Sequence, residues 1–80
     1  MTVSEAVVLR ILDLCKVRNL TINKISNISG ITQSTISDIV NHTTNNAGIG
    51  TIKKLCDGLE ISIREFFDDD LFDHLEQEIK

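Results

Sequence analysis

The stretch LTINKISNISGITQSTISDIVNH, residues 20 to 42, constrains this 80-residue chain more than any other part of it. Ile22, Ile25 and Ile28 recur at helical spacing behind Thr21, whose hydroxyl suits an N-cap. The run stops at Gly30, which has no Cβ and takes positive φ at little cost, so it can end one helix and redirect the chain. Thr32 then opens a second helix as N-cap, with Ile36, Ile39 and Val40 on its inner stripe. Gln33, Ser34, Ser37, Asp38 and Asn41 face away. Solvated helix surfaces are ordinarily built from Glu, Lys and Ala, so this short polar face answers to something other than helix propensity. Hydrogen bonding to base edges is one such purpose.

Helical periodicity organises the rest. Thr2-Val3-Ser4-Glu5 has the form of a capping box and places a helix start near Val3. Val7, Ile11 and Leu14 make its inward stripe, with Val8 and Cys15 at the margin, and it should end near Arg18 and Asn19, Asn being a tolerable left-handed cap. Residues 41 to 48, NHTTNNAG, carry no periodicity and read as a polar loop. Ile49, Ile52, Leu55, Cys56 and Leu59 form the stripe of a further helix with Lys53 and Lys54 outside. Ser62-x-x-Glu65 is a second capping box, opening a short helix whose Ile63, Phe66 and Phe67 plug the core. Asp68, Asp69 and Asp70 suit the start of a last helix, where negative charge meets the positive end of the dipole, and Leu71, Phe72, Leu75 and Ile79 would be its apolar stripe. Nine residues do not hold a helix alone, so that stripe must lie on its own domain or on a second copy.

The fold class expected is all-α, five helices with a short additional one at the C-terminal end. The division is a helix-turn-helix domain over 1–67, its motif at 21–41, and an acidic helical extension over 68–80. The net charge of −4 is unevenly spread. Residues 1 to 63 hold six basic groups (Arg10, Lys16, Arg18, Lys24, Lys53, Lys54) and five acidic ones (Glu5, Asp13, Asp38, Asp57, Glu60), whereas residues 64 to 80 hold two against seven. A near-neutral head is compatible with duplex binding but carries no strong nonspecific affinity. Cys15 and Cys56 lack Cys-x-x-Cys spacing and read as small buried hydrophobes in a reducing cytosol. The short apolar runs predict neither a signal peptide nor a membrane span, and hence a cytoplasmic protein. His42 and His74 stand alone, the acidic run lacks calcium-loop spacing, and no glycine string cradles phosphate. No catalytic residue, metal or cofactor is expected, and the chain does not read as an enzyme.

These motifs resemble the lambda-repressor-like (Cro-like, XRE) family. The similarity runs through Leu20-Thr21, Ile25-Ser26, Gly30-Ile31-Thr32, Ser34-Thr35-Ile36-Ser37 with Ile39, and Ile61-Ser62-Ile63-Arg64-Glu65-Phe66-Phe67, covering roughly residues 7 to 67 without a gap. Many relatives carry Arg at the position of Cys15 and Glu at that of Val40, as a mostly buried ion pair. Both are apolar here, the double replacement that leaves no stranded charge. The resemblance implies sequence-specific binding to double-stranded DNA by a small transcriptional regulator, a homodimer whose two reading helices enter successive major grooves about 34 Å apart. Base contact would fall to Gln33, whose amide can pair with adenine N6 and N7, and to Ser34, Ser37 and Asp38. Asp38 can accept from cytosine N4 but repels phosphate. Backbone phosphates would be met by Thr21 and the amides of Ile22 and Asn23 at a helix N-terminus, and by Arg10, Lys24, Asn41, Thr43 and Asn45. The loop lacks the cations that relatives place there, which predicts weak binding with a shallow salt dependence.

A rival on the same fold is a protein-interaction module or antitoxin-type partner, holding another protein through Leu71, Phe72, Leu75 and Ile79. An enzyme is the remaining alternative, and a surface without converging titratable groups would remove it.

Overall fold

The computed structural model describes residues 1–41 and 47–79, and every regular element among them is helical. These are α1 (Val3–Val17), α2 (Ile22–Ser29), α3 (Gln33–Val40), α4 (Ile49–Leu59), α5 (Ile63–Phe67) and a 3₁₀ turn over Asp70–Phe72.

Each start follows from its capping side chain. Thr2 and Ser62 both close full capping boxes, with Glu5 and Glu65 reaching back to the cap backbone, while Thr21 and Thr32 accept from the N–H groups of Lys24 and Thr35. The ends are equally specific. Asn19 sits at φ 56°, with its N–H bonded to the carbonyl of Lys16 and that of Leu20 to the carbonyl of Cys15 at 2.8 Å, the paired bonds of a Schellman ending. Gly30 takes φ 71° and turns the chain out of α2. α4 repeats the Schellman pattern with a residue that sequence did not mark as a terminator: Glu60 holds φ 58°, and Ile61 N–H reaches the carbonyl of Cys56.

The core is built by Val7, Val8, Ile11 and Cys15 of α1, Ile25 of α2, Ile31, Ile36 and Ile39 of the α3 region, Ile52, Leu55, Cys56 and Leu59 of α4, and Phe66 of α5. Cys15 lies inside this core and Val40 packs against it, so the sites of the relatives' ion pair are apolar on both sides. Burial pushes both thiols above their ordinary pKa, which keeps them protonated at neutral pH. Two side chains expected inside are not: Ile49, at the first turn of α4, is 66% exposed, and Ile63 of α5 is also exposed. Each is the first residue of its helix, where the chain is still entering and the stripe has not reached the core.

α2 and α4 approach until their backbones nearly touch. A Cβ at Gly58 would stand 2.7 Å from the carbonyl oxygen of Ile28 and 2.9 Å from its carbon. The guanidinium of Arg18, from the end of α1, donates to the carbonyl of Leu59 at 2.6 Å and ties the same end of α4 to α1.

The helix expected across 71–79 is not formed. After the 3₁₀ turn, which Asp69 caps by accepting from Leu71 N–H, residues 73 to 79 are not helical. Phe72 instead turns onto Phe67, ring centroids 4.9 Å apart edge to face, and Phe67 stacks likewise on Phe66 at 4.9 Å. Ile79 is left 87% exposed, and Glu76 N–H donates to the carbonyl of Met1. The reason is physical: nine residues offer too little to nucleate a helix, and Glu76 and Glu78 would have stood at the negative end of its dipole.

Replacing Gly58 by Ala should lower stability by about 1–2 kcal/mol, the overpacking cost exceeding the roughly 1 kcal/mol that Ala normally gains in a helix. A thermal melt that rose on this substitution would show the helix contact to be loose. Glu60→Gly should act in the opposite direction, raising stability by about 0.5–1 kcal/mol in urea titration, because glycine relieves the left-handed strain.

Candidate nucleic-acid interface

The turn between α2 and α3 is wired by side chains that the apolar pattern does not mention. Ser26 donates its hydroxyl to the carbonyl of Ile31 across the turn, and Ser29 donates to the carbonyl of Ile25 at 2.6 Å. Ile31 is buried immediately after the turn, and Ile36 and Ile39 anchor α3 from beneath. With three isoleucines fixed, the opposite face of α3 has one orientation. Gln33, Ser34, Asp38 and Asn41 stand exposed upon it, and Ser37 is half-buried at its edge. Thr35 is exposed as well, a residue that the sequence reading left out of the outward set. Its hydroxyl accepts from that of the cap Thr32 at 2.8 Å. The helical period does not mark it, since at about 100° per residue it lies closer to the buried Ile39 than to Ser34.

At the entrance of α2, Thr21, Asn23 and Lys24 are exposed and Ile22 is half-buried. Thr21 Oγ1 accepts from Lys24 N–H at 3.1 Å, while the N–H groups of Ile22 and Asn23 have no acceptor within the helix. A short helix N-terminus with outward N–H groups and a neighbouring ammonium suits an anionic oxygen. Thr43 and Asn45 lie outside the described residues.

Arg10 is placed differently from the expectation. Its Nε donates to the carbonyl of Phe66 at 2.7 Å, one terminal nitrogen to the carbonyl of Glu65 at 2.8 Å, and the other meets Asp69 at 3.2 Å and Asp13 at 3.8 Å. The guanidinium thus closes the C-terminal end of α5, where the dipole favours a cation, and joins α1 to the segment that follows. With its donors used in this way it is a structural clasp. Lys53 on α4 is similarly engaged, in an ion pair with Asp57 whose hydrogen bond raises the lysine pKa.

Two helices joined by a glycine-capped turn, the first presenting its N-terminus and the second a polar outer face, define a helix-turn-helix DNA-binding domain. Comparison with known proteins agrees. Residues 10–70 match the model of the Cro/C1-type HTH DNA-binding domain, so the chain belongs to that family of DNA-binding transcription regulators. It is also similar to the crystal structure of the prophage Lp1 protein 11, with 32% identity and a TM-score of 0.80, over 94% of this chain and 99% of that one. No curated protein matches it. The family is typically not enzymatic, and among the described residues no three His, Cys, Asp or Glu side chains converge as a metal site requires. Nor is any described helix long and apolar enough to cross a membrane.

Removing the Arg10 clasp should destabilise the domain by about 2–3 kcal/mol, since two carbonyls and a carboxylate lose a charged donor together. Arg10→Lys should recover less than half of the loss in chemical denaturation, because a point-like ammonium cannot serve three acceptors at once. Full recovery would reduce the clasp to simple charge.

Proposed function

We propose that the domain binds double-stranded DNA sequence-specifically, with α3 in the major groove, and serves as a small transcriptional regulator of the XRE type acting as a homodimer. The observation that carries this reading is the outer face of α3, exposed, short and polar, on a helix fixed from beneath by Ile36 and Ile39. Gln33 is the base-reading residue, its amide suited to adenine, with Ser34, Ser37 and Asp38 contributing at neighbouring pairs. Thr21, Lys24, Asn41 and the amides of Ile22 and Asn23 hold the backbone. Thr35 adds an apolar contact of the kind a thymine methyl accepts. The work is cytoplasmic, in the compartment where free thiols such as Cys15 and Cys56 stay reduced.

A second reading, a protein-interaction module on the same fold, draws support from the diversion of Arg10 into the clasp and from Asp38 on the outer face, both of which reduce attraction to phosphate. The stripe that would have held such a partner is partly used internally, since Phe72 packs on the domain's own core.

Binding-site selection followed by titration separates the two. The regulator reading expects one enriched duplex motif, and Gln33→Ala should weaken binding to it about tenfold while relaxing preference at a single adenine. Lys24→Ala should weaken enriched and random duplexes alike. With so few cations engaged, the slope of log K against log salt should be no steeper than about −3. No enrichment at low salt, together with an indifferent Gln33→Ala variant, would favour the protein-binding module.

A further inference from the structure

α1 carries leucines where its geometry calls for charge. At about 100° per residue, Glu5, Leu9, Leu12 and Lys16 lie within an arc of about 60°, on the side of the helix away from the buried Val7 and Ile11. Leu9 is 43% exposed and Leu12 42%, while Glu5 and Lys16, the two ends of the stripe, are exposed too. A shallow groove bordered by Leu9, Asp13, Asp69 and Leu71 extends the apolar strip on one side, with Asp13 held toward Arg10 at 3.8 Å.

The order acid, leucine, leucine, base is self-complementary when reversed. In an antiparallel pair of such helices, the register that sets Leu9 against Leu12 also sets Glu5 against Lys16, and two-fold symmetry repeats each contact. We infer that the outer stripe of α1 is an isologous contact surface for a second copy of this chain. The two leucines of each copy form the centre, and two Glu5–Lys16 ion pairs close the ends. Glu5 is exposed while its Oε1 accepts from Thr2 N–H at 3.2 Å and Thr2 Oγ1 at 3.0 Å, so its carboxylate lies at the surface where a facing ammonium reaches it. The charge pattern selects this partner, since an arbitrary apolar ligand would have no use for opposite charges at opposite ends. The net charge of −4 on each copy opposes association at long range but is screened beyond about 8 Å at physiological salt.

The inference supplies the surface for the homodimer in the regulator reading, and its test separates the two. Sedimentation velocity of the full chain in physiological salt should show a monomer–dimer equilibrium between about 1 and about 300 μM, the range for a small interface. Lys16→Glu faces Glu5 with a like charge at both ends and should weaken self-association at least about tenfold, as should Glu5→Lys. Mixed in equal amounts, these two variants restore both opposite-charge pairs and should form a heterodimer about as tight as the wild-type dimer, an outcome that a mere loss of fold cannot produce. Leu9→Ala with Leu12→Ala should leave a monomer whose circular dichroism is unchanged. A wild type that stays monomeric throughout, or charge variants that associate as before and fail to prefer each other, would overturn the assignment. Titrated with protein in excess, binding to a single half-site duplex should be unaffected by Lys16→Glu within a few-fold, so a failed dimer contact and a failed DNA reading give different results.

Discussion

Helices pack as closely as their smallest facing residue permits, and in this domain that residue is Gly58. A Cβ there would meet the Ile28 carbonyl, so any side chain at all would press on backbone. The contact brings α4 against α2 at the last turn before Gly30, the turn that launches α3. The direction of α3 therefore depends on an approach made on the far side of α2. Arg18 holds the same end of α4 from α1, so three helices converge where the chain is about to reverse.

A second junction orders the other end of the molecule. Arg10 reaches from α1 to the final carbonyls of α5 and to Asp69, and the three phenylalanines gather beneath it. A five-residue helix has almost no stability of its own, and this one exists because its N-terminus carries a capping box, its C-terminus a guanidinium and its centre the buried Phe66. The guanidinium there is engaged within the fold. In the proposed regulator, a domain with few free cations would draw its preference for DNA from directional hydrogen bonds and apolar fit, which favour particular sequences over phosphate in general. An outer face of Gln, Ser, Thr, Asp and Asn suits that division.

What was legible in the linear chain was whatever is decided within a turn or two of helix. The caps at Thr2, Thr21, Thr32 and Ser62, the left-handed Asn19 and Gly30, and the buried isoleucines of α2 and α3 all follow from local chemistry and the 3.6-residue period, and so does the polar outer face of α3. Glu60 escaped notice because nothing about Glu marks a left-handed ending; the position is imposed by the packing of α4 and α5. Ile49 and Ile63 carried the right period but stand one turn too early to be covered.

Tertiary structure decided the rest, because long-range partners have no local signature. Arg10 and Lys24 look alike in sequence, yet one is enclosed by carbonyls more than fifty positions away and the other stands exposed at a helix entrance. The apolar residues 71 to 79 had the spacing of a helix, but Phe72 gained more by joining two rings already in place than a short isolated turn gains by propagating. Spacing along a chain determined which helices could form and which faces they would bury; only the folded arrangement determined which charged groups were drawn into distant contacts, as Arg10 and Arg18 are.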